Sequence, residues 1–492
     1  MPERTPEPTW QVERVPTGVP HLDSLLDGGL TRGSLVYVVG GPGTGKTVLA
    51  EQIAFHWAAQ GQSTLWLITL GEPNEKFLTH LSEMRFYDHR YIGAEIQLVN
   101  LTRFLAQGLE EKMDAIRETL RSGAYSFLVL DGFQSLRAFL DGPREVRFFL
   151  SELGSELALS GTTLIVTADS DPRRYWEGAE FTLADCIIAL SREVVDSRER
   201  RSLQVLKLRG RSVIGGPHAF SIDHSGISVH PRLESLQPPC CDLVGGPRLS
   251  SGVRGLDRLL RGGLLTGTAT LIVGSPGTGK SVLADHFLAE SLRRAEPALR
   301  VSFFENIQRL LERSDAFRLP LRQGYESGLL TIWCSSPQAC EPDACAEEIF
   351  RTVRDRGIRR LAIDGIDPFE HELSASRRTL SYLDALISEL GRQGVTTLLT
   401  HELPTLLGPW VSFTGPIMGQ VAANLILLRL EEREGRLRRL LSIVKTRYSD
   451  HSTATAELML SEGQASVVPA HEPVEEEVTG HLVLERRGMG PA

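Results

Sequence analysis

Along most of this chain, short runs of consecutive apolar residues alternate with longer stretches in which apolar and polar positions follow a helical period. The runs at 35–39 and 127–130, and again at 269–273 and 361–363, have strand length and no in-out alternation, which predicts strands covered on both faces. The stretch 376–390 has the spacing of an amphipathic helix, while 48–54 and 282–288 open helices soon after a strand. Strand and helix in alternation imply a mostly parallel sheet flanked by helices, the α/β class. Two segments differ: 203–209 and 441–447 alternate with period two, placing Lys207 with Arg209, and Lys445 with Arg447, on one face of a strand.

The pattern occurs twice. The frame G-V-x-x-L-D-x-L-L-x-G-G-L that begins at Gly18 returns at Gly252, 234 positions later. The same offset carries the glycine-rich segment 40–47 onto 274–281, and segments 127–131 and 161–167 are answered by 361–364 and 394–400. A whole domain is duplicated. The expected layout is a flexible segment at 1–13, a first domain at 14–235, and a linker at 236–247 where proline and glycine replace periodic apolar residues. A second domain at 248–462 and a flexible acidic tail at 463–492 complete it.

A length of 492 residues suits two large cores, and 41% hydrophobic with 23% charged residues is an ordinary soluble composition. No apolar run approaches the roughly 18 residues that span a bilayer, and the polar, proline-rich start has no secretory or lipidation pattern, so a cytoplasmic location is expected. Six cysteines without C-x-x-C spacing read as free thiols. A net charge of −9 argues against a general nucleic-acid coat.

Both glycine-rich segments lie between a predicted strand and a predicted helix, the context of a phosphate-binding loop. In Gly41, Pro42, Gly43, Thr44, Gly45, Lys46 and Thr47, and in Ser275, Pro276, Gly277, Thr278, Gly279, Lys280 and Ser281, the glycines let backbone N–H groups wrap an anion. Lys46 and Lys280 add full positive charge, and the hydroxyls of Thr47 and Ser281 suit magnesium. Asp131 and Asp364 end apolar strands, where a carboxylate holds the metal or its water. ATP and Mg2+ are therefore the expected ligands. Lysine is scarce, six of 53 basic residues, yet four of the six are Lys46, Lys280, Lys207 and Lys445. The last two, with Arg209 and Arg447, form two-charge prongs suited to a phosphate held by a neighbouring subunit.

With the repeated frame, both phosphate loops, both aspartate-ended strands and the K-x-R-G ending at 207–210, the chain resembles the KaiC-like family of RecA-superfamily ATPases in its double-domain form, over roughly 15–468. The resemblance implies two tandem RecA-like P-loop domains and a homohexamer of two stacked rings, with ATP between subunits and the prongs acting in trans. The family usually has two adjacent acids after the strand that follows the P-loop helix, the first serving as general base. Glu305 stands in that first place, followed by Asn306, whereas the first repeat has Gly71 there and Glu72 next. Glu305 and, with one residue of slack, Glu72 are the expected bases.

The family's best-known member phosphorylates adjacent hydroxyl residues before a strand like 425–428; this chain has Gly419 and Gln420 there, with Ser412 and Thr414 nearby in a poorly aligning loop. The expected activity is slow ATP hydrolysis serving regulation or signalling, with self and an unidentified signalling protein as partners and no membrane. A KaiC-type autokinase, and a DNA-dependent recombinase or helicase with a pore loop at 134–147 carrying Arg137, Arg144 and Arg147, are the alternatives.

Overall fold

The computed structural model describes residues 13–68, 74–100, 113–114, 117–118, 120, 123–138, 140–171, 178–195, 198–236, 246–374, 376–403, 421–433, 435–461 and 463–470. The chain divides into two compact units after Ser235.

The first unit is a nine-stranded sheet in the order Gly226–His230, His218–Asp223, Arg198–Leu208, Cys186–Val195, Leu35–Gly40, Thr163–Asp169, Phe127–Asp131, Thr64–Ile68, Ile96–Asn100. The six strands from Cys186–Val195 to Ile96–Asn100 are parallel, and the other three join as antiparallel hairpins. Leu35–Gly40 is buried at every position because helices cover both sides of the sheet. On one face lies Lys46–Ala58, which buries Leu49, Ile53 and Trp57; on the other lies Gly142–Ser160, which buries Phe149, Leu150, Leu153 and Leu157. Each such side chain contributes about 1.5–3 kcal/mol of burial.

The second unit repeats this order strand for strand: Gln464–Pro469, Ala456–Ser461, Arg436–Thr446, Asn424–Arg433, Ala269–Gly274, Thr396–Glu402, Arg360–Asp364, Ala298–Ser302, Leu330–Cys334. The protein is thus two tandem RecA-like domains of mostly parallel sheet and flanking helices.

Three local expectations change. The helix expected at 376–390 runs Thr379–Arg392, because Arg377 takes a left-handed φ of 56° that no helix continues through. The expected pore loop at 134–147 is mostly helical: Phe133–Arg137 and Gly142–Ser160 take it up, the second with proline in its first turn and the Glu145 carboxylate accepting from the Asp141 N–H. The second sheet also runs past the boundary expected at 462. Gln464–Pro469 pairs along its length with Ala456–Ser461 across a turn where Gly463 has φ 83°, so those residues are edge strand rather than tail.

Candidate functional site

Both phosphate loops leave the central strand and wind into a helix that starts at the lysine. Gly43 and Gly45 have φ of 71° and 101°, and Gly277 and Gly279 have 76° and 103°, so each turn needs the left-handed backbone that glycine takes without strain. Lys46 donates from Nζ to the Gly41 carbonyl at 2.9 Å and pairs with Asp169 at 2.7 Å. Lys280 donates to Gly274 and Ser275 at 2.8 and 2.9 Å, with Glu402 4.0 Å away. Asp169 and Glu402 end the strand beside the loop in each repeat; the sequence shows them only as the residues that close the matching Thr-rich strands.

The residues expected to hold a metal lie together in each domain. The Thr47 hydroxyl lies 3.3 Å from both carboxylate oxygens of Asp131, and Ser281 hydrogen-bonds Asp364. A hydroxyl beside one carboxylate is a hard oxygen set that fits Mg2+, which takes few protein ligands and completes its shell with water and phosphate. Among the described residues no group of three or more His, Cys, Asp or Glu could hold a metal. A threonine from the neighbouring strand orients each aspartate: Thr167 donates to Asp131, and Thr400 to Asp364 at 2.6 Å.

The two aspartates carry their charge differently. Burial raises the Asp131 carboxyl above its ordinary value, against hydrogen bonds from Thr167 and Thr47 and the charge of Lys46. Burial also opposes ionisation of Asp364, but the Arg300 guanidinium, with hydrogen bonds from Thr400 and Ser281, outweighs it and holds that carboxyl low. Arg300 is fully buried and reaches Asp364 at 2.6 Å and Asp285 at 3.1 Å. Its place in the first repeat belongs to Trp66, the third residue of the matching strand, and the place of Asp285 belongs to Glu51. Glu51 is pushed up to about 8 by burial and by repulsion from Asp131. No motif carries these pairs; comparison of the repeats position by position would have found them.

Glu305 lines one cleft with Gly277, Gly279, Lys280, Ser281 and Asp364. Its carboxylate accepts from Arg313 Nη1 at 2.5 and 2.6 Å. Glu72 lies outside the described residues, as do Gly419, Gln420, Ser412 and Thr414. The connection from Thr64–Ile68 to helix Asn74–Leu81 takes five residues, 69–73, where that from Ala298–Ser302 to Ile307–Ala316 takes four, 303–306. Counted back from the helix, Glu72 and Glu305 each stand two residues before it.

The lysine–arginine prongs lie at the far end of the sheet from their own phosphate loops. Arg209 pairs with Asp185 at 3.0 Å, and Asp185 accepts from the Leu35 N–H, at the start of the strand whose other end is the loop. Lys207 donates to the carbonyls of Thr182 and Phe181. In the second repeat Lys445 reaches the Ala422 carbonyl and Arg447 N–H bonds Ala423, whose own N–H bonds Ala269 at the start of the loop strand. A six-residue strand spans about 17 Å. Burial, then the adjacent arginine, lowers both lysines. Nearer the loops stand Arg201, which donates to the Gly43 carbonyl at 2.9 Å, and Arg439, which donates to Gly277 at 3.0 Å; both lie on hairpin strands that sequence reading valued only for their last residues. Among the described residues no helix is long and apolar enough to cross a membrane.

A family model described as "ATPase: KaiC" matches residues 15–234 and again 249–472. The chain is similar, at 25% identity over 89% of its length and 88% of the relative's, to the circadian clock protein KaiC3 of Synechocystis sp.. It is 23% identical to the circadian clock oscillator protein KaiC of Picosynechococcus sp., covering 95% of this chain and 92% of the other. The corresponding oscillator protein of Synechococcus elongatus is 24% identical over 92% and 88%. With two matched repeats, each built round a phosphate loop, a hydroxyl and a strand-end aspartate, the chain belongs to the KaiC family of ATPases.

Proposed function

We propose that this protein is a slow, regulatory ATPase that works as a homo-oligomer of two stacked rings, with Mg-ATP at each phosphate loop shared between neighbouring copies. The observation that carries the reading is the separation, in both domains, of the lysine–arginine prong from its own loop by the length of the central strand. A prong placed there serves a phosphate only if another copy supplies it, and head-to-tail contacts of that kind generate a ring when the rotation between copies closes.

In this reading the loop amides and Lys46 or Lys280 hold the phosphates, and Thr47 with Asp131, or Ser281 with Asp364, hold the metal. Bound magnesium would neutralise charge on the terminal phosphates. Glu305, and Glu72 in the first domain, take a proton from the attacking water, while Lys207 with Arg209, or Lys445 with Arg447, face the charge that develops in the adjacent site. Gly419 and Gln420 carry no hydroxyl where the family's autokinase has its acceptors, so hydrolysis is the proposed reaction. A nucleotide-dependent ring conformation would then change affinity for a signalling protein.

Mass and ATPase rate measured together, with and without Mg-ATP and single-stranded DNA, test this. A multimer in Mg-ATP, with turnover indifferent to DNA, is the expected result. A monomer under all conditions overturns the ring, and strong stimulation by DNA moves the reading to a DNA-dependent motor.

A further inference from the structure

The second domain buries a chain of charges built on Arg300 and Asp285, whose places in the first domain are taken by Trp66 and Glu51. Arg300 touches Asp364 at one end and Asp285 at the other; Asp285 also accepts from Arg313 Nε at 2.8 Å, and Arg313 Nη1 grips both oxygens of Glu305. Four elements and the connection 303–306, which carries Glu305, supply it: the P-loop helix, two adjacent strands, and helix Ile307–Ala316. Arg300 and Asp285 are almost wholly hidden, at 0% and 1% side-chain exposure, and each such ion costs several kcal/mol to desolvate. The 3.1 Å contact between them is ionic rather than a well-aligned hydrogen bond: among the described residues Asp285 Oδ1 and Arg300 Nη1 have no hydrogen-bond partner.

The fold does not require this expense. The first domain fills the Arg300 position with Trp66 in the same strand order. What differs is at the site: the chain joins the metal-holding aspartate to the candidate base. Glu305 precedes the helix, its side chain is 22% exposed, and the side-chain contacts that hold its carboxylate come from Arg313.

We propose that Arg313 is a positioning residue for hydrolysis in the second domain, anchored on Asp285 and through Arg300 on Asp364, and that it holds Glu305 toward the phosphates. This rests on the reading of Glu305 as the base. Arg313 touches neither water nor nucleotide in this role; it fixes the carboxylate that does, as outer partners fix the ligands of a metal site.

The test uses full-length protein carrying Lys46→Ala, so that turnover reports the second domain. Arg313→Gln should lower kcat by about 10–100-fold and leave KM within about twofold. Adding it to Glu305→Gln should cost nothing further, because both remove one unit. Arg313→Lys keeps the charge beside Asp285 but cannot also hold both Glu305 oxygens; it should fold and lose several-fold in kcat, which keeps the idea testable if Arg313→Gln unfolds. Wild-type kcat in Arg313→Lys, or additive losses in the double variant, overturns the positioning role. If Glu305→Gln itself turns over normally, the base assignment falls and the proposal with it; if Glu305→Gln is slow while the Arg313 variants are not, only the positioning role falls.

Discussion

The two phosphate sites of this chain share a backbone and differ in how they balance buried charge. In the first site burial raises the carboxyl of Asp131, and burial with repulsion from Asp131 raises that of Glu51 to about 8. Around Asp364 the neighbours are two arginines and Asp285, and Asp364 is held in its charged form. Duplication thus conserved the scaffold while the residues two layers behind the loop diverged. The charge of a strand-end carboxylate is set by what lies behind it as much as by its own position on the strand.

The widest test of that contrast is hydrolysis. In the Lys46→Ala background, Glu305→Gln should reduce kcat by about 10²–10⁴-fold, measured as steady-state phosphate release. Glu72→Gln in the Lys280→Ala background asks the same of the first site; an equal loss would mean that the extra residue in its connection leaves the base in register.

Stability offers the next test. Arg300→Met removes the charge shared by Asp285 and Asp364, leaving Asp285 to Arg313 alone, and should cost the second domain about 3–5 kcal/mol, read from urea unfolding. Replacing the pair, Arg300→Trp with Asp285→Leu, takes the tryptophan of the first domain and removes the acid that the arginine served, and should recover at least half of that. A pair as unstable as Arg300→Met would break the view that the fold can do without those charges.

Smaller is the pH effect of Glu51. Its folded-state pKa lies above the unfolded value, so between the ordinary carboxylate range and about 8 the folded state keeps a proton that the unfolded chain has lost. Stability of the first domain should therefore fall as pH rises through that window, by up to about 1.4 kcal/mol per unit. Glu51→Gln should flatten the change in urea midpoint between pH 6 and 8; an unchanged slope would place the effect elsewhere. The smallest difference expected is none: Arg201→Ala and Arg439→Ala each remove one hydrogen bond to a loop carbonyl and should weaken nucleotide binding two- to tenfold, about 0.5–1.5 kcal/mol, alike at both sites. Unequal losses would show that the loops themselves have diverged.

The sequence alone determined the duplication, the α/β class, the two phosphate loops and the aspartates that close the strands after them. Each is a contiguous pattern whose cause is local: glycine where φ is positive, apolar runs where a strand is covered twice, a polar residue where a strand ends at the sheet's carboxyl edge. Even the start of helix Thr379–Arg392, missed by three residues, turned on one backbone angle at Arg377. Tertiary structure decided what each site's charges mean. Asp285, Arg300, Arg313 and Asp364 are distant in sequence and meet only when the sheet order puts Ala298–Ser302 beside Arg360–Asp364 under the P-loop helix. It also decided that each prong faces away from its own phosphate loop, since period two gives a side chain's face but not the end of the sheet on which its strand finishes. Charge–charge energies depend on distance and burial, and neither is a property of spacing along the chain.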